Sequence, residues 1–345
     1  MKRVKDLDVL KGLAITAVII IHTTGSGTVD FGPSTHSYFM YLALNRLTQF
    51  AVPTFIFASS VLLSYVHAND FHTITAGKLK DFYIKRFVRI IPPYMIWTLL
   101  YLFFKHAVSG SLEDITLKSY LKCLCIGTGY YHLYFIVIII QLYIFMPYIM
   151  YCISKLHLRF GPTVLISAAL QAAFYYSYKA FLSAYLQRPA SLLPWYMVLV
   201  FIGTWIGTNY EEYTKKERHV IALLPITIVT GVYYTYLYHL VNIGKPISTS
   251  VFNFTWYVYV TTAALLLLYA STKVRIPFFE NAGKLSFGIY LMHPLFLNVM
   301  NGIFSTGNVI TYHAYTLFEF LLIYTVSYLL TSAIEKTPFG KYIVG

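Results

Sequence analysis

Apolar stretches of roughly 17 to 22 residues follow one another along the chain with short polar breaks between them, the length a helix needs to cross a hydrocarbon core. The alternating ten-residue pattern of a membrane barrel is not seen, so the pattern predicts an all-α, polytopic membrane protein. Spans are predicted near residues 8–28, 41–65, 90–108, 131–151, 162–178, 194–210, 220–240, 253–271, 285–304 and 313–334. That makes about ten transmembrane helices and brings both termini to one side. Loops on the cytoplasmic side should collect Lys and Arg, which tests the arrangement. With the N-terminus inside, the outer face receives only Arg46, Lys105, Lys118, Lys122, Lys179, Arg188 and Lys245 of the 26 basic residues. Both termini are therefore expected to be cytoplasmic. No soluble domain and no internal repeat is apparent, so residues 1–345 are expected to form a single integral-membrane domain in the cell membrane.

Composition supports this and excludes other classes. Hydrophobic residues make up 58% of the chain and charged ones 11%, with mean hydropathy +0.62, whereas a soluble domain carries roughly 25% charged residues. The first apolar run is too long for a signal-peptide core, and Thr24 to Gly27 is the one stretch resembling a cleavage region, so the first helix is expected to be retained. The three cysteines, Cys123, Cys125 and Cys152, have neither a metal-site spacing nor an even, disulfide-forming count, and no metal site is expected. The formal charge of +13 is explained by topology, since no basic run with interleaved aromatics appears outside the predicted loops and nucleic acid is not an expected partner. Tyrosines cluster at span ends, as in YYHLY, YYSYK and YYTYLY. They read as an interfacial aromatic belt, with a sugar-stacking platform on the outer face as the other reading. Residues 109–130 form the longest outer connection, and Tyr120 to Ile126 within it is expected to be an interfacial or re-entrant helix.

Titratable groups at membrane depth cost about 2.5 kcal/mol or more each, so each needs a reason. The first span, LDVLKGLAITAVIIIHTTGSGT from Leu7, carries Asp8 and Lys11 near its start and His22 deep in its second half. Eleven residues at about 100° each return to within roughly 20° of the starting direction, so Lys11 and His22 share a face about 16 Å apart along the axis. Glu319 in the last span is expected roughly level with His22, each about 10 Å below the outer surface. An imidazole beside a carboxylate is the arrangement a general base needs, the other reading being two structural residues that never meet. In FYIKRFVRIIPPY, Arg86 and Arg89 lie one turn apart with Lys85 alongside, a fork suited to phosphate, unless it is the ordinary cation cluster that anchors a span. Lys11, facing the same way as His22, favours a phosphate-rich donor held by Lys11, Arg86 and Arg89 at the inner face. His132 and His293 read as hydrogen-bonded packing histidines, with Pro294 expected to kink its helix, and the remaining histidines, His67 and His313 among them, fall in loops or at span ends.

Taken together, these motifs resemble the acyltransferase family 3 membrane O-acyltransferases. The likeness rests on Leu7, Asp8, Lys11, Gly12 and His22, on VPTFIFASSVLLSY from Val52, on the Arg-x-x-Arg of Arg86 and Arg89, on HLYF at His132 and on LSFGIYLMHP up to His293. It runs from the N-terminus to IEKTPFG. Two departures stand out: Ser59-Ser60 where the family often has Ser-Gly, and Tyr134 where it often has Trp. The resemblance implies a bundle that takes an acyl group, usually acetyl, from cytoplasmic acyl-CoA and delivers it to a hydroxyl of a cell-surface or lipid-linked glycan. It implies His22 as the essential histidine, as base or as acyl carrier, Lys11 as its basic partner, and Arg86 and Arg89 as donor-binding residues, with Glu319 supporting His22. No extracytoplasmic esterase-like domain is apparent, so transfer is either completed in the bundle or handed to a separate extracytoplasmic transferase. A transporter or flippase for a lipid-linked sugar or acyl donor is the rival reading, but the matched halves it favours are not seen.

Overall fold

The structure is a computed structural model that describes residues 4–68, 70–110, 115–301 and 308–345. Lys2 and Arg3, residues 111–114 of the long connection and the 302–304 end of the ninth expected span lie outside the described residues. Among the described residues the chain is helical, with no strand. Seven stretches are long and apolar enough to cross a membrane: Lys5–Asp30, His36–Val66, Ala76–Ala107, Tyr134–Lys155, His219–Asn242, Thr249–Lys273 and Val309–Glu335. Leu193–Thr208 and Ser286–Met300 are apolar but shorter. The segment expected to span at 162–178 is helical from Phe160 to Ala180, but Ser167, Gln171, Ser177 and Lys179 dilute its apolar character.

The chain forms two compact units. One comprises Arg3–Phe55 and Glu212–Ala333. It contains α1 (Lys5–Thr23), α2 (Gly27–Asp30), α3 (His36–Leu47), the start of α4 (Ala51–Val66), α11 (Leu224–Asn242), α12 (Thr249–Lys273), α13 (Pro277–Lys284), α14 (Ser286–Asn301) and nearly all of α15 (Val309–Glu335). Its centre is α1, whose Leu7, Leu10, Ala14, Ile15 and Ile19 are buried and which packs on α13, α14, α12 and α3. Two glycines make the α1–α13 approach possible. A Cβ on Gly12 would lie 2.0 Å from the Phe279 carbonyl oxygen, and one on Gly283 would lie 1.7 Å from that of Asp8. Backbone fills both spaces, so neither position accepts a side chain without moving a helix.

The other unit comprises Ile56–Glu211 and Ile334–Gly345. It contains the rest of α4, α5 (Ala76–Ser109), α6 (Leu117–Ile126), α7 (Tyr134–Lys155), α8 (Phe160–Ala180), α9 (Met197–Thr208), the first turn of α10 (Tyr210–Lys216) and α16 (Gly340–Ile343). In α9, Gly203 and Gly207 form a small-xxx-small stripe against α4: a Cβ on Gly203 would lie 2.9 Å from the Phe57 oxygen and from the Ser60 Cβ, and one on Gly207 would lie 2.3 Å from the Val61 oxygen. Ser60, one of the two departures from the family pattern, is accommodated because the glycine sits on the opposite helix. The Ser60 hydroxyl donates to the Ile56 carbonyl at 2.9 Å, the usual way a hydroxyl is satisfied inside an apolar helix. α5 begins at Ala76, well before the expected residue 90, because the charged turns ahead of Pro92-Pro93 continue the helix. The expected interfacial piece is α6, capped by reciprocal Thr116–Ser119 bonds and closed by Gly127 at φ 70°. Its backbone accepts from α5, Tyr94 Oη donating to the Leu124 carbonyl at 2.8 Å. Trp97 Nε1 donates to the Ile343 carbonyl at 2.8 Å and ties α16 to α5.

Gly12→Val and Gly283→Val should each lower stability by about 1–3 kcal/mol or more, as forced overpacking does. Thermal unfolding of the purified protein in detergent measures it. Gly32→Val, where a Cβ meets nothing within 4 Å, should be close to neutral.

Candidate functional site

His22 lies in the last turn of α1, half-buried. Beside it is His293 of α14, 1% exposed, with ring centroids 5.2 Å apart and planes tilted by 32°. His293 Nδ1 is 3.2 Å from the Ile289 carbonyl. A carbonyl can only accept, so that nitrogen carries the proton and Nε2 is the basic atom of the neutral ring. Two imidazole rings thus stand together, one of them fully buried. Asn45 orders the same helix end, its Nδ2 donating to the Ile21 carbonyl at 2.7 Å and to Thr24 Oγ1 at 3.2 Å.

Glu319 belongs to the same unit and is 4% exposed, with Oε1 buried and without a hydrogen-bond partner. Its carboxyl lies within electrostatic range of Tyr41, Tyr312 and Tyr315. Around it is a polar aromatic cluster. Tyr41 Oη is 2.9 Å from His313 Nδ1 and 3.0 Å from Thr316 Oγ1, and Tyr312 donates to Asp30 at 2.7 Å. The ring beside His22 is therefore that of His293, while Glu319 is set among tyrosines. Sequence reasoning passed over His293 as a packing residue and His313 as a span-end residue. A usable signal was present for the second: Tyr312, Thr316 and Glu319 recur at the spacing of one helical face. His132 packs edge-on to Tyr101 at 5.1 Å.

Lys11 Nζ is 2.9 Å from Asp8 Oδ1, so the basic end of α1 carries an ion pair whose lysine side chain is 21% exposed. On α13, Lys284 is 2.8 Å from Glu280 and holds that carboxyl below the usual carboxylate range.

In the other unit, Arg86 and Arg89 line one cavity of about 810 Å3, together with Lys85, Lys341, Asp70 and Glu335. Four cations against two carboxylates make it a site for an anion. Arg86 is held from behind: its Nη2 is 3.0 Å from His67 Nε2, and His67 Nδ1 is 2.6 Å from Asp70 Oδ2. The Arg86 Nε is buried without a partner. Burial, and the positive charge of Arg86 and Lys85, hold the His67 ring below the ordinary histidine value against the opposing pull of Asp70. The neutral ring that results donates from Nδ1 to Asp70 and accepts from Arg86 at Nε2. His67 is a second residue that sequence reasoning left in a loop. Among the described residues no group of three or more His, Cys, Asp or Glu is arranged to hold a metal ion.

Among the described residues the chain is helical with seven helices fit to cross a membrane, a pair of imidazoles in one unit and a cationic cavity in the other, the features of a membrane protein. Residues 4–332 match the family model described as "Acyltransferase domain", and the chain belongs to the acyltransferase 3 family. Comparisons with the curated proteins and with the solved structures returned no match.

Because the Glu319 Oε1 has no partner, neutralising the carboxyl should not destabilise the protein. Glu319→Gln should unfold at or above the parent temperature at pH 8, and Glu319→Leu, which replaces the buried carboxyl by an apolar group of similar size, should do so as well. Thermal scans in detergent compare the three.

Proposed function

We propose that this protein is a cell-membrane O-acyltransferase that moves an acyl group, acetyl above all, from acyl-CoA to a hydroxyl of an extracytoplasmic or lipid-linked glycan. The observation that carries the reading is the His22–His293 pair: two rings 5.2 Å apart, one of them 1% exposed, in a member of an acyltransferase family. In this reading the two units form one integral-membrane acyltransferase domain of about ten spans with both termini in the cytoplasm. Arg86 and Arg89 hold the donor's phosphates in their cavity, where paired guanidiniums bind phosphate oxygens bidentately. Lys11, paired with Asp8 at 2.9 Å, is the third cation assigned to the donor's phosphates in this reading. His22 takes the proton from the acceptor hydroxyl as its oxygen attacks the thioester carbonyl. The C–S bond breaks, the thiolate takes up a proton, and an ester and free CoA result. His293 stands beside His22, and Glu319, buried in the same unit, supplies negative charge that balances the imidazolium while it exists.

A covalent acyl-imidazole on His22 is the other course within the same chemistry: the ring attacks first, CoA leaves, and the acceptor hydroxyl then takes the acyl group. Transfer is completed in the bundle or passed to a separate extracytoplasmic transferase.

Purified protein should release free thiol from acetyl-CoA in the presence of acceptor, and His22→Ala should reduce that release on the order of 10²- to 10⁴-fold, the usual contribution of a general base. Arg86→Ala and Arg89→Ala should weaken acyl-CoA binding. Mass spectrometry of envelope glycans with and without the protein identifies the acceptor. A protein that carries acyl-CoA or a lipid-linked sugar without releasing thiol would be a transporter.

A further inference from the structure

His67 is not part of the family likeness described above, yet it is the side chain against which Arg86 rests. It follows α4 directly and faces α5 across the mouth of the anionic-ligand cavity, with its ring edge-on to Phe82 at 5.3 Å. Three observations converge on it. Its Nε2 meets Arg86 Nη2 at 3.0 Å, its Nδ1 meets Asp70 Oδ2 at 2.6 Å, and its side chain is 15% exposed against 54% for Asp70. An arginine resting on a neutral nitrogen has its charge uncompensated and available to an anionic ligand, whereas a carboxylate partner would offset that charge. Asp70 is thus set one bond away, orienting the ring instead of neutralising the guanidinium.

We propose that His67, locked by Asp70, is the positioning residue that holds Arg86 in the cavity, and that protonating His67 releases Arg86 and weakens binding of the donor's phosphates. The proposal rests on the reading of that cavity as the donor site. Protonation removes the lone pair that accepts from Arg86 and sets an imidazolium against a guanidinium. The groups facing His67 are Asp70 on its own turn, Lys85, Arg86 and Arg89 of α5, and Glu335 and Lys341 across the cavity. From α7, Ser154 is hydrogen-bonded to His72, and Lys155 is bonded to the Tyr151 hydroxyl at 2.8 Å. The net positive surroundings and burial keep the ring neutral to a lower pH than free imidazole, and Asp70 opposes them. Binding is therefore full above about pH 6.5, the free-histidine value, and is lost as the pH falls below it.

The test is CoA binding to the full-length protein in detergent, by calorimetry at pH 8 and pH 5.5. His67→Ala should raise the Kd about tenfold at pH 8, the effect of one hydrogen bond to a charged group. It should also abolish the part of the pH dependence that exceeds the titration of CoA itself. His67→Gln, whose carbonyl oxygen accepts from Arg86 at any pH, should restore affinity and bind with the pH profile of CoA alone. Asp70→Ala alters a half-exposed side chain and removes the group that favours the protonated ring, so it should move the loss of binding to lower pH. Parental Kd values in His67→Ala at both pH values, or an unmoved profile in Asp70→Ala, would overturn the role of His67. Loss of the donor-site reading looks different: the parent binds no CoA, or Arg89→Ala binds it as the parent does.

Discussion

The close approach of α1 and α13 is the constraint on which the unit containing His22 depends. Gly12 and Gly283 each present bare backbone to the other helix, so the two carbonyl paths of Asp8 and Phe279 run where side chains would normally stand. A helix in lipid gains nothing from burying apolar side chains in preference to leaving them against acyl chains, so packing at this distance must supply the association. It also fixes α1 along its axis. The Asp8–Lys11 pair at one end and His22 at the other are thereby held in register with α13 and with the α14 that follows it, and His293 arrives beside His22 as a consequence.

Polar groups in such a unit fall into two kinds. Hydroxyls on the helices return their proton to the carbonyl one turn back, as Thr16 does to Gly12 at 2.9 Å and Thr262 to Val258 at 2.9 Å. They cost little and indicate nothing beyond helix formation. Imidazoles and carboxyls cannot be satisfied so locally, because each has more polar atoms than one turn can serve. His22, His293 and Glu319 belong to this second kind, and they lie on helices from both ends of the chain. Groups of this sort are retained where they are needed for chemistry or for a unique arrangement of helices.

How much of this could be read beforehand follows from the range of the interactions. The helical class, the first span with Lys11 and His22, and the Arg86–Arg89 pair are local features, set by spacings within one helix, and they are legible in order along the chain. The partners of those residues are not. His293 meets His22, and His67 meets Arg86, through contacts between helices, and a hydropathy pattern is blind to which helices become neighbours. The same limit separates the expected spans from the observed helices. α9, at 12 residues, is shorter than the apolar run that predicted it, because Pro194, in the turn before it, delays the start of the α-helix where hydropathy alone would begin it. Ser60 shows the converse: it reads as a disturbance to close packing, and is harmless because Gly203 supplies the space.

The two sites have different surroundings, and the proposed reaction would set them opposed tasks. Phosphate oxygens are strongly hydrated, and a site for them must offer several donors that stay charged and accessible, which a cavity of about 810 Å3 bordered by Lys85, Arg86, Arg89 and Lys341 does. Proton transfer to an attacking hydroxyl asks for the reverse: a basic nitrogen kept from water, so that the ester forms in preference to hydrolysis of the donor. A histidine suits both settings only by changing its role. His293 is buried and anchored to its own helix at the Ile289 carbonyl, whereas the His67 side chain is 15% exposed. The residue type is the same, and burial together with the partners each ring meets separates the two proposed roles.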